Sequence, residues 1–352
     1  MDIMPYLNLM VDKGASDLFF TTNSPVKIKI EGKATSVGKT MLTPELCKSA
    51  AYTIMNDVQK KHFEETMECD FAIALPDGSC RFRVNVFRQR GEVGMVLRQI
   101  PSEIPTVAQL GLPDVLNDLI MHKRGLILMV GATGSGKSTT LAAMVNHRNE
   151  NMAGHILTIE DPVEFSHPNK KAIVNQREVG VDTYSYRNAL KASLREAPDV
   201  ILIGEIRDRE TMEAALELSN TGHLAISTLH ANNANQAMER VINLFPQDYH
   251  KQLFMDLSMN LRAVISQRLV TAVNGKRCAA IEIMINTPHI GELILKGEIH
   301  EIKEAMEDSG AHGMQTFDMA LHNLYKEGRI ELEECLNNAD SRTNMEAKIN
   351  FG

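Results

Sequence analysis

A glycine-rich run between an apolar stretch and a helix-forming stretch carries the strongest chemical signal in this chain. In GATGSGKST, the residues Gly131, Gly136 and Lys137 fit the spacing Gly-x-x-x-x-Gly-Lys-Ser. Backbone N–H groups of such a loop turn around phosphate oxygens, the lysine reaches the outer phosphates, and the hydroxyl of Ser138 can ligate Mg²⁺. We therefore predict a nucleoside triphosphate as the ligand, although a glycine-rich turn could match by chance. The predicted nucleotide-binding residues are Gly131, Thr133, Gly134, Ser135, Gly136, Lys137, Ser138 and Thr139.

Two carboxylates follow apolar stretches farther along the chain. Glu205 ends PDVILIGEIRD, where an apolar strand enters an acidic residue, as in nucleoside triphosphatases that hold Mg²⁺ or its water opposite the phosphate loop. Glu160, in TIEDPVEF, is the predicted group that orients or deprotonates the attacking water. We predict Glu205 as a catalytic residue and, with Ser138, as a metal-binding residue. Each carboxylate could instead be an acid favoured by a helix N-terminus.

Two histidines flank an apolar stretch in TGHLAISTLHANN. His230 lies where a sensor of the γ-phosphate is expected, so we predict it as a catalytic residue. The alternative for both His223 and His230 is a hydrogen-bonded structural role. Their spacing and the lack of a third ligand nearby argue against a zinc site.

From residue 125 onward, short apolar stretches alternate with helix-forming stretches. The predicted strands are 126–130, 155–159, 200–203 and 224–227. This alternation is typical of a mostly parallel sheet covered by helices on both faces. The phosphate loop, Glu160, Glu205 and His230 each follow one of these strands. Because ligands of open parallel sheets bind beyond the carboxyl ends of the strands, we expect the four segments to converge on one crevice.

The first part of the chain has a different periodicity. PVKIKIEGK and DFAIALPDGSCRFRVNVF alternate apolar and polar residues, and an Asp77-Gly78 turn in the second predicts an antiparallel hairpin. TPELCKSAAYTIMNDVQKKHFEE has helical spacing, with Thr43 as the predicted N-cap and Pro44 at the first helical position. We therefore expect a small α+β domain over residues 1–98 and a proline-containing linker over 99–113.

Six arginines are candidates for stabilising phosphate charge. They are Arg81, Arg83, Arg88 and Arg98, on or after an alternating strand, and Arg195 and Arg207 in the second half of the chain. The first four could form an exposed basic strand edge that discourages aggregation. Alternatively, some of these four cross a domain or subunit boundary to meet γ-phosphate charge, as arginine fingers do. Arg195 and Arg207 are candidates for the same role within the second domain. The sequence does not rank them.

Composition limits the classes of function. A length of 352 residues allows about two domains. The formal charge of -8 argues against a large nucleic-acid footprint, so no nucleic-acid partner is expected. No apolar run approaches the ~18 residues that a membrane span needs, and the first residues lack the features of a signal peptide, so we expect a cytosolic protein. The five scattered cysteines are expected to be reduced thiols.

Several segments together carry a family resemblance. GATGSGKST, TIEDPVEF, LIGEIRDRET and TGHLAISTLHANN resemble the Walker A, Asp box, Walker B and His box of the secretion-superfamily ATPases, and NVFRQRGEVGMVLRQI resembles their N-terminal arginine segment. The length and the opening LNLMVDKGASDLFF are similar to those of the PilT/PilU retraction ATPases of type IV pili. The likeness runs from Met1 to about Leu336.

The resemblance implies a fold and a function. The fold is α/β, with a PAS-like N-terminal α+β domain followed by a RecA-like P-loop ATPase domain with C-terminal helices over residues 114–336. The function is that of a homohexamer that uses ATP and Mg²⁺ to drive pilus retraction and twitching motility. Its implied place is the cytoplasmic side of the inner membrane at the pilus base, in contact with the platform protein of the pilus machine.

Two features depart from the PilT pattern. PilT-type members carry an Ala-Ile-Arg-Asn-Leu-Ile motif in the C-terminal region, whereas the comparable stretch here, TPHIGELILKGEIHEI, has no Arg-Asn pair. The polar tail over residues 337–352 is expected to be disordered. Both features favour a PilU-like accessory ATPase that depends on a PilT-type paralogue. The alternatives are a pilus assembly or secretion ATPase and a nucleotide-binding modulator of a partner motor.

Overall fold

The computed structural model describes residues 1–30, 32–101 and 103–351, which fold into two compact units. The first unit consists of Met1–Glu103 with the short segments Val163–Ser166 and Gly180–Tyr184, and the second contains the rest of the described chain. Three residues of predicted segments lie outside the described residues: Glu31 of an alternating strand, Ser102 of the linker and Gly352 of the tail.

The first unit combines helices with an antiparallel sheet. Its helices are α1 (Met4–Lys13), α2 (Pro44–Ile54) and α3 (Asp57–Thr66). Its strands are β1 (Asp17–Phe20), β2 (Lys27–Ile30), β3 (Lys33–Ser36), β4 (Glu68–Ala74), β5 (Arg81–Gln89) and β6 (Glu92–Ile100). These strands pair antiparallel in the order β3-β2-β1-β6-β5-β4. The α+β composition is thus confirmed, and the PAS-like character stays a prediction.

The predicted helix cap and hairpin turn of this unit are confirmed, whereas the predicted helix and the predicted domain boundary differ from the structure. Thr43 caps α2 by accepting a hydrogen bond from the Leu46 N–H at 3.3 Å, and the Asp77-Gly78 turn joins β4 to β5. The predicted helical stretch is broken in two, because Asn56 and Gln59 form a capping box that starts α3. The predicted boundary at residue 98 falls inside β6, which stays paired with β5 through Ile100.

The second unit is an α/β fold with additional C-terminal helices. Its strands are β7 (Gly125–Val130), β8 (Gly154–Glu160), β9 (Ala172–Glu178), β10 (Val200–Ile203), β11 (Leu224–Leu229), β12 (Leu261–Thr271) and β13 (Arg277–Ile285). Its first helices are α4 (Val115–Ile120), α5 (Lys137–Asn151), α6 (Tyr186–Ser193), α7 (Arg209–Asn220), α8 (Ala234–Asn243) and α9 (His250–Asn260). The later helices are α10 (Pro288–Lys296), α11 (Ile302–Glu307), α12 (Phe317–Lys326), α13 (Leu332–Asn338) and α14 (Arg342–Phe351).

The strands of this unit form one sheet in the order β13-β12-β7-β11-β10-β8-β9. All neighbours are parallel except β12 and β13, which form an antiparallel hairpin at one edge. The four predicted strands are confirmed as β7, β8, β10 and β11, and the sheet is extended by three strands that the periodicity did not predict. Residues of β7 and β10 are buried throughout, as expected for strands covered on both faces. The α/β arrangement expected for this part of the chain is confirmed.

The C-terminal tail differs from expectation. Residues 342–351 form α14 instead of a disordered segment. Met345 of this helix is buried in a cluster with Phe317 of α12, Cys335 of α13 and Val270 of β12. Ile349 of the same helix also packs against this cluster, so a polar helix docks through two apolar residues on an apolar surface that other elements supply.

Two further expectations concern reduced cysteines and the lack of a membrane-spanning segment. All five cysteines carry free thiols, and burial raises the pKa of each thiol. None of the helices that the structure describes is long and apolar enough to cross a membrane.

Candidate nucleotide site

The pairing of the parallel strands brings the predicted polar segments to one edge of the sheet. β7 and β11 are paired to their last residues, so the phosphate loop and His230 leave the sheet at the same level. β8 and β10 are paired up to Ile159 and Ile203, so Glu160 and Glu205 follow at that edge. Since β10 also pairs with β11, the four segments are neighbours. The predicted convergence at the carboxyl ends of the strands is confirmed.

Two glycines of the phosphate loop have conformations and surroundings that exclude a side chain. Gly131 has φ 152° and Gly136 has φ 88°. A Cβ atom at Gly131 would lie 2.5 Å from Ser135 Oγ, and one at Gly136 would lie 2.7 Å from Gln267 Nε2. Both positions therefore need glycine for the loop to keep its shape.

Gln267 of β12 holds the phosphate loop from the neighbouring strand. This side chain is 3% exposed. Its Nε2 donates to the backbone O of Ser135 at 2.9 Å, and its Oε1 accepts from Thr140 Oγ1 at 2.8 Å. One amide thus ties the loop to the first turns of α5. No motif or spacing in the sequence signals this residue, because the contact depends on how β12 pairs with β7.

Lys137 is the first residue of α5, and its side chain folds back over the loop. Its Nζ donates to the backbone O of Gly131 at 2.7 Å and to that of Ala132 at 2.8 Å. Burial lowers the pKa of the Lys137 ammonium, and the nearby carboxylate of Glu205 acts in the opposite direction. The Lys137 ammonium therefore lies against the phosphate loop, within reach of a phosphate bound there.

The other predicted nucleotide-binding residues divide into buried and exposed positions. Thr133 and Gly134 are exposed at the tip of the loop, whereas Ser135 is buried. Ser138 is exposed in the first turn of α5, and Thr139 beside it is partly buried. Hydroxyl groups and backbone N–H groups at the start of a helix favour an anion and its bound cation.

Glu205 is the centre of a charged cluster beside the loop. Its Oε2 accepts from Arg207 Nε at 2.7 Å, and its Oε1 lies 3.1 Å from His230 Nε2. Arg207 also lies 3.9 Å from a carboxylate oxygen of Asp161. The hydrogen bond from Arg207 to Glu205 raises the pKa of the Arg207 guanidinium. The structure thus brings together three predicted site residues, Glu205, His230 and Arg207.

Gly204 allows the two carboxylate-bearing segments to approach each other. Its N–H donates to the backbone O of Ile159 at 2.7 Å, and its own O accepts from Thr228 Oγ1 at 2.5 Å. A Cβ atom at Gly204 would lie 2.6 Å from Tyr186 Oη and 3.2 Å from Glu160 Cα. Burial, followed by the negative charge of the surrounding acids, raises the pKa of the Tyr186 phenol. The phenol therefore stays neutral beside these carboxylates.

Glu160 is oriented by residues of β8 and β9. Its Oε1 accepts from Thr158 Oγ1 at 2.6 Å and from Gln176 Nε2 at 3.3 Å. The Oε1 of Gln176 in turn accepts from the backbone N–H of His167 at 2.8 Å. This chain of contacts fixes the carboxylate at the strand edge, and sequence reasoning did not identify its supporting residues.

His223 lies at the opposite end of β11 from His230. Its Nδ1 is 3.1 Å from Thr221 Oγ1 and 3.2 Å from the backbone O of Leu218. These contacts are those of a hydrogen-bonded structural histidine, the alternative that the sequence left open for both histidines.

Two of the N-terminal arginines make ion pairs within the first unit. Arg88 donates to Glu64 and lies over the ring of Phe63, with its Cζ 5.4 Å from the ring centroid. Arg98 donates from Nε to Asp17 Oδ1 at 2.8 Å, yet its side chain is 64% exposed. Most of the Arg88 side chain is therefore covered within the first unit, whereas most of the Arg98 side chain is exposed to solvent.

The remaining arginines have different surroundings. Arg81 and Arg83 alternate with the buried Phe82 and Val84 on β5, so both lie on the sheet face away from the core of the first unit. Arg195 is exposed just after α6. The roles of these arginines as fingers stay predictions.

Comparison with known proteins adds to this geometry. The family model of the type II/IV secretion system proteins matches residues 1–349. The chain belongs to this family. It is 52% identical, over its full length and 92% of the relative, to the type IV pilus ATPase PilU of Pseudomonas aeruginosa. It is 44% identical to the type IV pilus retraction ATPase PilT of the same bacterium, over 95% of this chain and 97% of the relative.

A solved structure is similar over nearly the whole fold. The crystal structure of the pilus retraction motor PilT with bound ADP superposes with a TM-score of 0.90 at 40% identity. The match covers 98% of this chain and 99% of that chain. Both units of the present structure therefore have counterparts in a motor of known fold.

Proposed function

We propose that this chain is an Mg²⁺-dependent ATPase motor of the pilus-retraction type. The observation that carries the proposal is the contact of Glu205 with His230 at the same sheet edge as the phosphate loop. Relatives named as pilus ATPases, PilU and PilT, match 95% or more of the chain. The fold, the phosphate loop and the Glu205–His230 contact therefore all support an ATPase motor.

The phosphate loop fits a nucleoside triphosphate. Among the described residues, the buried hydroxyl of Ser135 has no hydrogen-bond partner, and a phosphate oxygen would satisfy it. The 15-residue helix α5 begins at the loop, so its free N–H groups favour an anion there. Lys137 would hold the outer phosphates, and Ser138 with Glu205 would hold Mg²⁺ directly or through water.

The residues around the phosphates have separate tasks in hydrolysis. When bound, Mg²⁺ neutralises charge that develops on the phosphate oxygens. Glu160, held by Thr158, orients the attacking water or accepts its proton. His230 would sense the outermost phosphate, and its contact with Glu205 would link that phosphate to the residues that follow the neighbouring strand. Arg207 keeps the Glu205 carboxylate in a fixed orientation.

The motor is proposed to work as a homohexamer on the cytoplasmic side of the inner membrane. One or more of the arginines Arg81, Arg83, Arg88, Arg98 and Arg195 would complete the phosphate site of a neighbouring subunit. The partners are a PilT-type paralogue and the platform protein of the pilus machine. Because the segment over residues 287–302 lacks the Arg-Asn pair of PilT, this chain would hydrolyse ATP but retract pili only together with that paralogue.

Phosphate release by the purified protein tests the enzymatic part. Lys137→Ala is expected to impair nucleotide binding and turnover, whereas Glu205→Ala and Glu160→Gln should retain ATP and lose turnover by about 10²-fold or more. Glu213→Gln is the matched control, because Glu213 also accepts from an arginine Nε, at 2.6 Å, but on α7. Wild-type turnover in Glu205→Ala would remove that residue from the mechanism.

Retraction in cells tests the accessory role. The chain is expressed in a strain that lacks every PilT-type paralogue, and pilus retraction is measured directly. We expect none, and we expect retraction to return when a PilT-type protein is supplied. Normal retraction by this chain alone would make it a self-sufficient motor and would refute the dependence on a partner.

A further inference from the structure

A cavity of about 640 Å³ opens beside the phosphate loop, and part of its wall comes from the C-terminal segment. The loop residues 131–135 form one side of the cavity. The other side includes Asn232, Arg268, Arg277 and Asp340. The hydrolytic residues described above do not account for this second wall, and Asp340 lies in the tail that the sequence suggested was disordered.

Asp340 is held firmly at this wall. Its Oδ1 lies 3.3 Å from both terminal nitrogens of Arg268, and its Oδ2 accepts from Lys303 Nζ at 2.9 Å. Its backbone N–H donates to Asp318 Oδ1 at 2.8 Å. Although burial opposes ionisation, Lys303 and Arg268 hold the pKa of the Asp340 carboxyl below its usual value. The carboxylate is therefore charged and bridged between β12 and the C-terminal helices.

Arg268 connects this carboxylate to the loop that follows His230. Its Nη2 donates to the backbone O of Asn232 at 3.4 Å as well as to Asp340. Its guanidinium also lies over the ring of Phe317, with Cζ 4.0 Å from the ring centroid. A planar guanidinium can make these contacts at once because its donors have a fixed fork geometry.

A second buried contact holds the same loop at its far end. Glu282 of β13 is 2% exposed, and its Oε1 accepts from the backbone N–H of Ala234, the first residue of α8, at 2.8 Å. Its Oε2 lies 3.4 Å from the N–H of Phe317, the first residue of α12. The loop from His230 to Ala234 is thus tied, at two points, to elements that also contact the C-terminal helices.

From these contacts we propose that Asp340 is a positioning residue of the nucleotide site: through Arg268 it fixes the loop after His230 and makes the C-terminal segment a wall of the nucleotide cavity. The proposal rests on the proposed ATPase function. Because coupling between two sites is reciprocal, nucleotide binding must also stabilise the docked C-terminal segment. Docking of the C-terminal segment and nucleotide binding therefore stabilise each other.

Steady-state kinetics of full-length Asp340→Asn test the proposal. We expect the KM for ATP and the Kd for MgADP to rise about tenfold, with kcat within about twofold, because the substitution loosens a wall and leaves the hydrolytic groups in place. Asp340→Glu, which keeps the charge, should recover part of the affinity. Arg342→Ala is the matched control, since Arg342 pairs with Glu333 and Glu346 on the same C-terminal segment but does not line the cavity.

A second variant and a second measurement keep the test decisive. Arg268→Lys retains the charge but cannot span Asp340 and Asn232 together, so it should raise KM to a similar extent even if Asp340→Asn folds poorly. Trypsin cleavage at Arg342 and Lys348 should be slowed by MgADP in the wild type and much less in Asp340→Asn.

Several results would overturn the inference. They are wild-type KM values in both variants, an equal rise in KM for Arg342→Ala, and cleavage of the tail at the same rate with and without MgADP. A wild-type protein without ATPase activity would instead refute the proposed function.

Discussion

The contact of Gln267 with the phosphate loop leads to a prediction that can be worked through quantitatively. Gln267→Met keeps the approximate length of the side chain and removes both hydrogen bonds. The Thr140 hydroxyl can turn to a backbone carbonyl of its own helix, so its loss is small. The buried carbonyl of Ser135 has no such alternative, and leaving a buried acceptor unpaired costs about 1–3 kcal/mol.

That cost should appear in nucleotide binding, because the loop must hold one shape to surround the phosphates. With about 1.4 kcal/mol per factor of ten, we expect Gln267→Met to bind MgADP about 5- to 150-fold more weakly. Thr140→Val is the control, since it leaves Gln267 Oε1 unpaired but keeps the bond from Gln267 to Ser135. Its cost should therefore fall on folding stability, and its effect on MgADP binding should stay below about threefold. Calorimetric titration of MgADP measures both, and thermal unfolding without nucleotide checks the fold. Binding within twofold of wild type in Gln267→Met would refute this reasoning.

Two further predictions concern the carboxylate side of the site. Burial, followed by the charge of Lys170, lowers the pKa of His167 from 6.5 to about 4, so the stability tied to its neutral form is present above pH 6.5 and is lost as the pH falls towards 4. Measured by urea unfolding, the free energy of unfolding of the wild type should fall between pH 8 and pH 5 by about 2 kcal/mol more than that of His167→Leu. An equal fall in both proteins would contradict the prediction. Gly204→Ala should lower kcat at least about tenfold, because its Cβ would displace Tyr186 or Glu160, whereas Gly310→Ala, with open space around it, should match wild type in the same phosphate-release assay.

The nucleotide-binding motif and several local features could be predicted from the sequence because their causes lie within a few residues. The Gly-x-x-x-x-Gly-Lys-Ser spacing, the Thr43 cap and the Asp77-Gly78 turn each act through neighbours along the chain. The break between α2 and α3 also has a local signal, the capping-box residues Asn56 and Gln59, but the helical periodicity on both sides concealed it. The parallel sheet followed from the alternation of apolar strands and helices.

The remaining parts of the site depend on tertiary structure. Gln267 and Ser135 are 132 residues apart, and their contact exists only because β12 pairs beside β7 in one register. Composition correctly describes 337–352 as polar, yet Met345 and Asp340 find an apolar surface and two cations on elements that lie far away in sequence.

Short-range signals are therefore enough to name the phosphate loop and the acidic strand ends. The residues that hold those groups in position are decided by long-range packing, because each pairwise contact forms only after the strands and helices have assembled.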